Sequence, residues 1–415
     1  MPRARPLLAA ALIVRDEAGV LGDCLAGLRD LVDEVVIYDT GSTDGTPELA
    51  GSTGARVLRG YWDGDFARAR NLAIDATSAP WVLIVDADER PSCDPDRLRA
   101  VLEAGLRPDA GVDGLVVPLV NVGQDGGELY AAPQVRIFRT DRAHYVGRLH
   151  ERVEPRRPDG APLRLAEQPR AVVQVRHLGY VDPVVVRAKA QRNLDLARRE
   201  LERLQADPAV TAHELARALY HRGRTLLSAG QVLPALADLE QLRALDTDAA
   251  ERTWGCDVLV QLLLGLGRVE QIPVVVEELR AAGVDSRYCS WLLARCLLLQ
   301  ERFTEALPLL RGVDLLVDAV GRVHDLVPVI EAQLIAAGRG GEVDEAAACC
   351  IRLMAGYGRT EGLGSLLLTL WGGRPVEWLV DLLNGADAGH LPAVVAELRS
   401  CEDPGPQLAD ALAAL

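Results

Sequence analysis

Apolar runs of strand length recur along the N-terminal part of the chain, at residues 7–14, 34–39, 55–58 and 81–86. Between them, residues 18–30 and 66–77 repeat their apolar positions every three to four residues, which predicts helices. Strand and helix in alternation predict βαβ units and a parallel sheet. Ligands of such sheets bind beyond the carboxyl ends of the strands, near the point where strand order reverses. Polar residues fall there: Glu17 follows the first run, Asp39 ends the second, and Asp86 with Asp88 ends the fourth.

From residue 113 to 178 the runs shorten (115–120, 135–139, 172–177) and the joins are rich in Pro and Gly. This predicts a mixed or antiparallel edge that completes the sheet. After Tyr180 strand signals stop, and nearly everything to Leu415 reads as helix built from Ala, Leu, Arg and Glu. The expected division is an α/β domain over residues 1–185 and an all-α domain over 186–415. Small or polar turns at 229–231, 266–268, 300–302 and 338–341 punctuate the helical part. Gly230, Gly267, Glu301 and Gly338 stand 37, 34 and 37 residues apart, close to the ~34 of tetratricopeptide repeats. A stack of this kind presents surfaces for peptides and could pair copies of the chain into a homo-oligomer.

Composition narrows the chemistry. With 49% hydrophobic and 25% charged residues the chain can bury large cores. A net charge of −15 excludes a nucleic-acid surface, which needs clustered Lys and Arg. Lys189 is the only lysine, and it sits in neither a phosphate loop nor a Schiff-base context. None of the eight cysteines forms a Cys-x-x-Cys pair, so buried free thiols are expected. The apolar run after Arg3 and Arg5 ends in Arg15-Asp16-Glu17 without a small-residue cleavage site, and reads as a buried first strand rather than a signal peptide. No stretch reaches the ~20 apolar residues of a membrane span, and a cytoplasmic protein is expected.

Trp81-Val-Leu-Ile-Val-Asp86-Ala-Asp88 puts two carboxylates together at a sheet edge. Like charges so close repel unless a cation lies between them. Oxygen ligands joined by substrate phosphates favour Mg²⁺ or Mn²⁺. Alone, an Asp-x-Asp triplet is weak evidence; its place after the fourth strand strengthens it.

Four segments in order carry a more specific signal: Leu12-Ile-Val-Arg-Asp-Glu17-Ala; Val32-Asp33-Glu34-Val-Val-Ile-Tyr-Asp39-Thr-Gly41-Ser-Thr-Asp44-Gly45-Thr46; Trp62-Asp-Gly-Asp65-Phe66-Ala-Arg68-Ala-Arg70-Asn71; and Asp86-Ala-Asp88-Glu89. Together they resemble a family 2 glycosyltransferase of GT-A fold, with Asp16 where that family usually has Asn. The resemblance implies that Asp39 binds the nucleotide base or ribose, that Val14 and Glu17 border the base, and that Arg70 reaches the diphosphate. It implies Asp86 near ribose and metal, and Asp88 as the firmer metal ligand. Downstream, Val175-Arg-His177-Leu-Gly179-Tyr180 resembles a segment whose His completes the metal site, and Gly147-Arg148-Leu-His150-Glu151 resembles the acceptor side.

Glu151 is the expected base for an inverting transfer, with His150 as the second candidate. The implied activity is a metal-dependent hexosyl transfer from a nucleotide-sugar, UDP-linked, using Mn²⁺ or Mg²⁺. A GT-A domain followed by tetratricopeptide-like repeats is similar to bacterial enzymes that glycosylate peptides or proteins; transferases of cell-surface glycans share the same N-terminal motifs. Two other classes compare poorly. A sugar-nucleotide nucleotidyltransferase would carry a Gly-rich N-terminal loop and lysines near the phosphates. An inactive scaffold would not need Arg70, Asp86 and Asp88 together.

Overall fold

A computed structural model describes residues 6–107, 111–123, 126–157, 161–178, 183–384 and 391–414. Arg3, Arg5, Gly179 and Tyr180 lie outside the described residues. Contacts divide the chain into two compact units: Met1–Pro208 with Arg224–Gln231, and Ala209–Gly223 with Val232–Leu415.

The first unit runs β1 (Leu8–Val14), α1 (Ala18–Leu28), β2 (Glu34–Asp39), α2 (Thr46–Ser52), β3 (Arg56–Arg59), α3 (Phe66–Asp75), β4 (Trp81–Ile84), β5 (Glu89–Cys93), α4 (Pro95–Gly105), β6 (Gly114–Val122), β7 (Glu128–Arg139), β8 (Ala143–Val146), β9 (Arg152–Pro155), β10 (Leu165–Glu167), β11 (Val173–His177) and α5 (Pro183–Gln205). Nine strands form one sheet in the order β3-β2-β1-β4-β7-β6-β11-β5, with β10 paired to β6. The β3-β2-β1-β4 side is parallel, and β7 then pairs antiparallel to both β4 and β6, giving the expected mixed edge.

Strands β1 and β4 are apolar throughout because both sheet faces are covered there. Along β4 and the residue after it, Trp81, Leu83 and Val85 join one core with Leu12, Leu21 and Leu102. Val82 and Ile84 point the other way, into a core with Ala67, Ile74 and Phe138. The fourth strand stops at Ile84, short of the expected residue 86. Asp86 instead opens a tight turn: Glu89 N–H donates to Asp86 O at 3.0 Å, while Asp86 N–H donates to the Glu89 carboxylate at 2.9 Å. Strand β5 follows that turn and pairs antiparallel with β11, setting Glu89 opposite His177.

Helix α6 (Ala212–Ser228), which the second unit shares with the first from Arg224 on, begins a run of helices: α7 (Val232–Arg243), α8 (Ala250–Gly265), α9 (Ile272–Ala281), α10 (Ser286–Leu299) and α11 (Phe303–Arg311) precede a short hairpin, β12 (Leu316–Val317) with β13 (Val323–His324). Helices α12 (Val327–Gly340), α13 (Val343–Ile351), α14 (Leu363–Trp371), α15 (Val376–Asn384), α16 (Leu391–Arg399) and α17 (Gly405–Ala413) follow. The hairpin is an exception in a stretch expected to be nearly all helix; Asp318 makes its turn by accepting from the N–H groups of Val320 and Arg322.

The helix-to-helix turns repeat one geometry. Gly230, Gly267, Glu301 and Gly341 each adopt positive φ. The next residue's N–H reaches back to the carbonyl five positions earlier, from Gln231, Arg268, Arg302 and Glu342 to Leu226, Leu263, Leu297 and Ala337. That is a Schellman closure, and its recurrence is the structural form of the repeat. Successive repeats are joined by ion pairs at a matching interval, Arg217–Glu251, Arg243–Glu278 and Arg311–Glu345.

Candidate active site

A cleft of about 450 Å³ opens at the carboxyl ends of β1, β2 and β4. Its lining includes Val14, Glu17, Arg70, Asp86, Asp88 and His177, so six of the nine residues proposed from sequence share one cavity. Local structure explains how they arrive there. Asp16 takes a positive φ of 53°, a conformation short polar side chains tolerate, and its carboxylate accepts from Thr43 N–H at 2.7 Å. Thr46 Oγ1 accepts from Glu17 N–H at 2.9 Å. The loops after β1 and β2 thereby lock together. The Gly41–Gly45 stretch acts as a turn that Asp44 braces by accepting from Ala18 and Thr46 N–H groups. The Val14 carbonyl is occupied by Thr40, whose N–H and hydroxyl both donate to it at 3.0 Å.

Asp39 is buried. Its Oδ1 accepts from the N–H groups of Gly41 and Ser42 at 3.0 Å, whereas its Oδ2 is buried with no hydrogen-bond partner. Buried acceptors are nearly always satisfied, so an orphaned oxygen beside a cleft suits a ligand N–H or hydroxyl.

Helix α3 delivers Arg70. Asp65 caps the helix, accepting from Arg68 N–H at 2.9 Å, and the turn that follows aims Arg70 inward. Its Nε donates to Glu151 Oε1 at 2.7 Å and its Nη2 lies 3.0 Å from Asp86 Oδ1. Burial opposes the charge on Arg70, but Asp86 and Glu151 raise its pKa well above the ordinary value. In return Arg70 and Arg136 overcome burial and hold the Asp86 carboxyl below its usual range. Glu151 thus sits behind Arg70, in an adjoining cavity of about 390 Å³ with Arg136 and Tyr145, and is not among the residues lining the main cleft. His150 adopts a positive φ of 55°. Burial pushes its imidazole down to about 4, so it is neutral at neutral pH.

At the cleft floor His177 Nε2 faces Asp88 Oδ2 at 3.5 Å. Its Nδ1 lies 3.1 Å from Asn121 Oδ1; with that amide oxygen as acceptor Nδ1 carries a proton, and the Asp88 carboxylate favours a second proton on Nε2, which faces it. Burial lowers the His177 pKa, and the Asp88 carboxylate more than reverses this. Leu178 N–H pins the backbone of Asp88 at 3.0 Å. A 3.5 Å gap is near the ~3 Å separating adjacent ligands around a small divalent cation. Among the described residues no group of three or more His, Cys, Asp or Glu side chains is placed so that it could hold a metal ion.

Several residues escaped sequence reasoning. Glu89 is buried, and its carboxylate takes Arg136 Nη2 at 2.8 Å along with the Asp86 N–H; burial lifts it to about 7 against the pull of Arg136. Asn121 carries no local signature. Helix α5 adds Arg192, Leu196 and Arg199 to the cleft wall. Their spacing of four and three is that of one helical face, a signal visible only once the helix is known to belong here.

The mixed sheet, with the cleft at the ends of its parallel strands, has the architecture of a GT-A domain. Residues 10–149 match the model for Glycosyl transferase family 2 and are a domain of that family; His177 and α5 lie beyond the matched segment. Among curated proteins, the SPbeta prophage-derived glycosyltransferase SunS of Bacillus subtilis is 26% identical over 208 residues, 49% of this chain and 46% of the relative. The lipopolysaccharide core biosynthesis glycosyltransferase LpsC of Rhizobium meliloti is 30% identical over 159 residues, 36% of this chain and 57% of the relative. A TPR repeat-containing protein of Synechococcus elongatus is 51% identical over 78 residues, 19% of each. The chain therefore spans between a fifth and somewhat over half the length of these relatives. Among solved structures, glucosyl-3-phosphoglycerate synthase of Mycobacterium tuberculosis, in complex with Mn²⁺, UDP and glucosyl-3-phosphoglycerate, aligns at 21% identity over 28% of this chain and 44% of that chain, with a TM-score of 0.22. Among the described residues no helix is long and apolar enough to cross a membrane.

Proposed function

We propose that the protein is an inverting, metal-dependent glycosyltransferase that takes a sugar from a UDP-linked donor and attaches it to a peptide or protein side chain. The observation that carries the donor half is the Asp88–His177 pair, 3.5 Å apart at the floor of a cleft shared with Arg70, Asp86 and Glu17. Asp88 and His177 would hold Mn²⁺ or Mg²⁺, and such a cation, when bound, neutralises the departing diphosphate. Asp39 Oδ2 would take a polar hydrogen of the base or ribose. Arg70 fixes Asp86, and Glu89 with Arg136 fixes the turn between Asp86 and Asp88. Glu151, engaged by Arg70, has a positioning role in this reading.

The peptide or protein acceptor is supported by architecture, since the helical repeats follow the transferase domain as they do in peptide-modifying enzymes. A cell-surface glycan is the second reading, favoured by the similarity to the lipopolysaccharide core transferase.

Turnover and binding of UDP-, GDP- and TDP-sugars, measured with and without Mn²⁺, test the donor half. Metal-dependent hydrolysis or binding of at least one donor is expected, and it should be lost in Asp88→Ala. Silence with every donor overturns the enzyme reading; donor binding unchanged in Asp88→Ala overturns the metal assignment.

A further inference from the structure

Next to the cleft lies a second cavity of about 410 Å³, bounded by Trp62 and Asp63 of the β3–α3 loop, Arg148 of the β8–β9 loop, and Leu196, Arg199 and Arg203 of α5. Trp62, Leu196 and Arg199 border both spaces, so the two cavities adjoin. Residues 192, 196, 199 and 203 make a single stripe along α5, and that stripe walls both.

The second cavity carries uncompensated positive charge in a chain of net charge −15. Its two carboxylates are already engaged: Asp63 by Arg68 at 2.6 Å, and Glu200 by Arg203 at 2.9 Å. Arg148 comes no nearer to a carboxylate than 3.9 Å, at Glu200, and donates instead to the Asp63 carbonyl at 3.0 Å. Arg199 donates to the Asp195 carbonyl at 3.3 Å and has no ion-pair partner among the described residues.

Arg148 is held in place: its carbonyl accepts from Phe66 N–H at 2.9 Å, and the loop is shaped by positive φ at Gly147 and His150. Two guanidinium groups on fixed elements, beside the apolar walls of Trp62 and Leu196, form a receptor for an oxyanion. Planar arginine forks match carboxylate and phosphate oxygens.

We propose that this cavity is the acceptor subsite and that it selects acceptors bearing a carboxylate or phosphate close to the group that receives the sugar. The proposal rests on the transferase reading above. It makes the first long helix after the sheet a determinant of acceptor choice.

The test uses the full chain with UDP and Mn²⁺. UDP binding is measured first by titration calorimetry; then O-phospho-L-serine, L-glutamate, L-serine and L-glutamine are titrated into the loaded protein. At least one anionic probe should bind ten times more tightly than its neutral counterpart. Phosphoserine alone points to a phosphate, glutamate alone to a carboxylate, and both to a general oxyanion site. Arg148→Gln with Arg199→Gln should weaken the anionic probe at least tenfold, and Arg148→Lys, which keeps charge and loses the fork, should fall between. Failure of UDP to bind overturns the donor reading and this proposal with it. UDP binding without preference for the anionic probe overturns this proposal alone. So does a probe that competes with UDP, because the anion then occupies the donor cleft.

Discussion

Arg70 joins two carboxylates across a buried gap, and Arg70→Met leaves both without their cation. Removing one partner of a buried ion pair costs about 3–5 kcal/mol, because the remaining charge stays desolvated. Two features bring the figure down here. The Asp86 side chain is 35% exposed and can recover some hydration. Arg70 Nη1 is itself buried without a hydrogen-bond partner, and its removal returns part of a penalty of about 1–3 kcal/mol. A net loss of about 2–3 kcal/mol follows. For a unit of about 150–250 residues each kcal/mol moves Tm by about 2–4 °C, so melting should fall by about 4–12 °C in differential scanning calorimetry. Adding Glu151→Gln to Arg70→Met removes one of the stranded charges, so the double variant should be more stable than the sum of the singles by about 1–3 kcal/mol. A Tm within 2 °C of wild type, or strictly additive singles, would show that Arg70 is not the buried bridge described.

Asn121→Leu leaves the Asp88 and His177 side chains in place but removes the acceptor that orients the imidazole. Metal-dependent donor affinity should drop about 10–100-fold, and an unchanged Mn²⁺ dependence in calorimetry would refute the orienting role. The eight cysteines are free, and burial pushes Cys24, Cys349 and Cys350 up to about 12. In native protein, maleimide followed by mass spectrometry should label Cys93 and Cys401, the two partly exposed thiols, well before the other six. His150 has a folded pKa of about 4 against an ordinary 6.5. Below pH 6.5 the unfolded chain takes up a proton that the folded chain refuses, so this group's contribution to stability is full above 6.5 and is lost as the pH falls toward 4. Between pH 7.5 and 4.5 the wild type should lose more Tm than His150→Asn does; parallel curves would remove His150 from the acid response.

Where a short signal coincides with a structural requirement, the sequence read well. Strand β2 occupies residues 34–39 as expected because its apolar run ends on a carboxylate that must turn out of the sheet. The Asp86 to Asp88 segment was legible because it follows a fully apolar strand. Other features depend on long-range pairing. Glu89-Arg-Pro-Ser-Cys93 has no strand pattern of its own and becomes β5 only through β11. Asn121 and Arg136 are ordinary residues until the sheet brings one against His177 and the other against Glu89. Glu151 was singled out as a base, but nothing in its neighbourhood in the sequence points to its partner Arg70, 81 residues away on α3. Composition changes from strand-like to helical after Tyr180, which is why the expected boundary falls at 185, whereas the first compact unit extends to Pro208 and takes in Arg224–Gln231.

That offset bears on how such a chain can be cut, joined or diversified. Exchange of the repeats at the visible change in composition would carry off α5, and with it Arg192, Leu196 and Arg199 from the cleft wall. A graft made there would give the cleft a foreign wall, because the helix that lines it looks in composition like part of the repeat array.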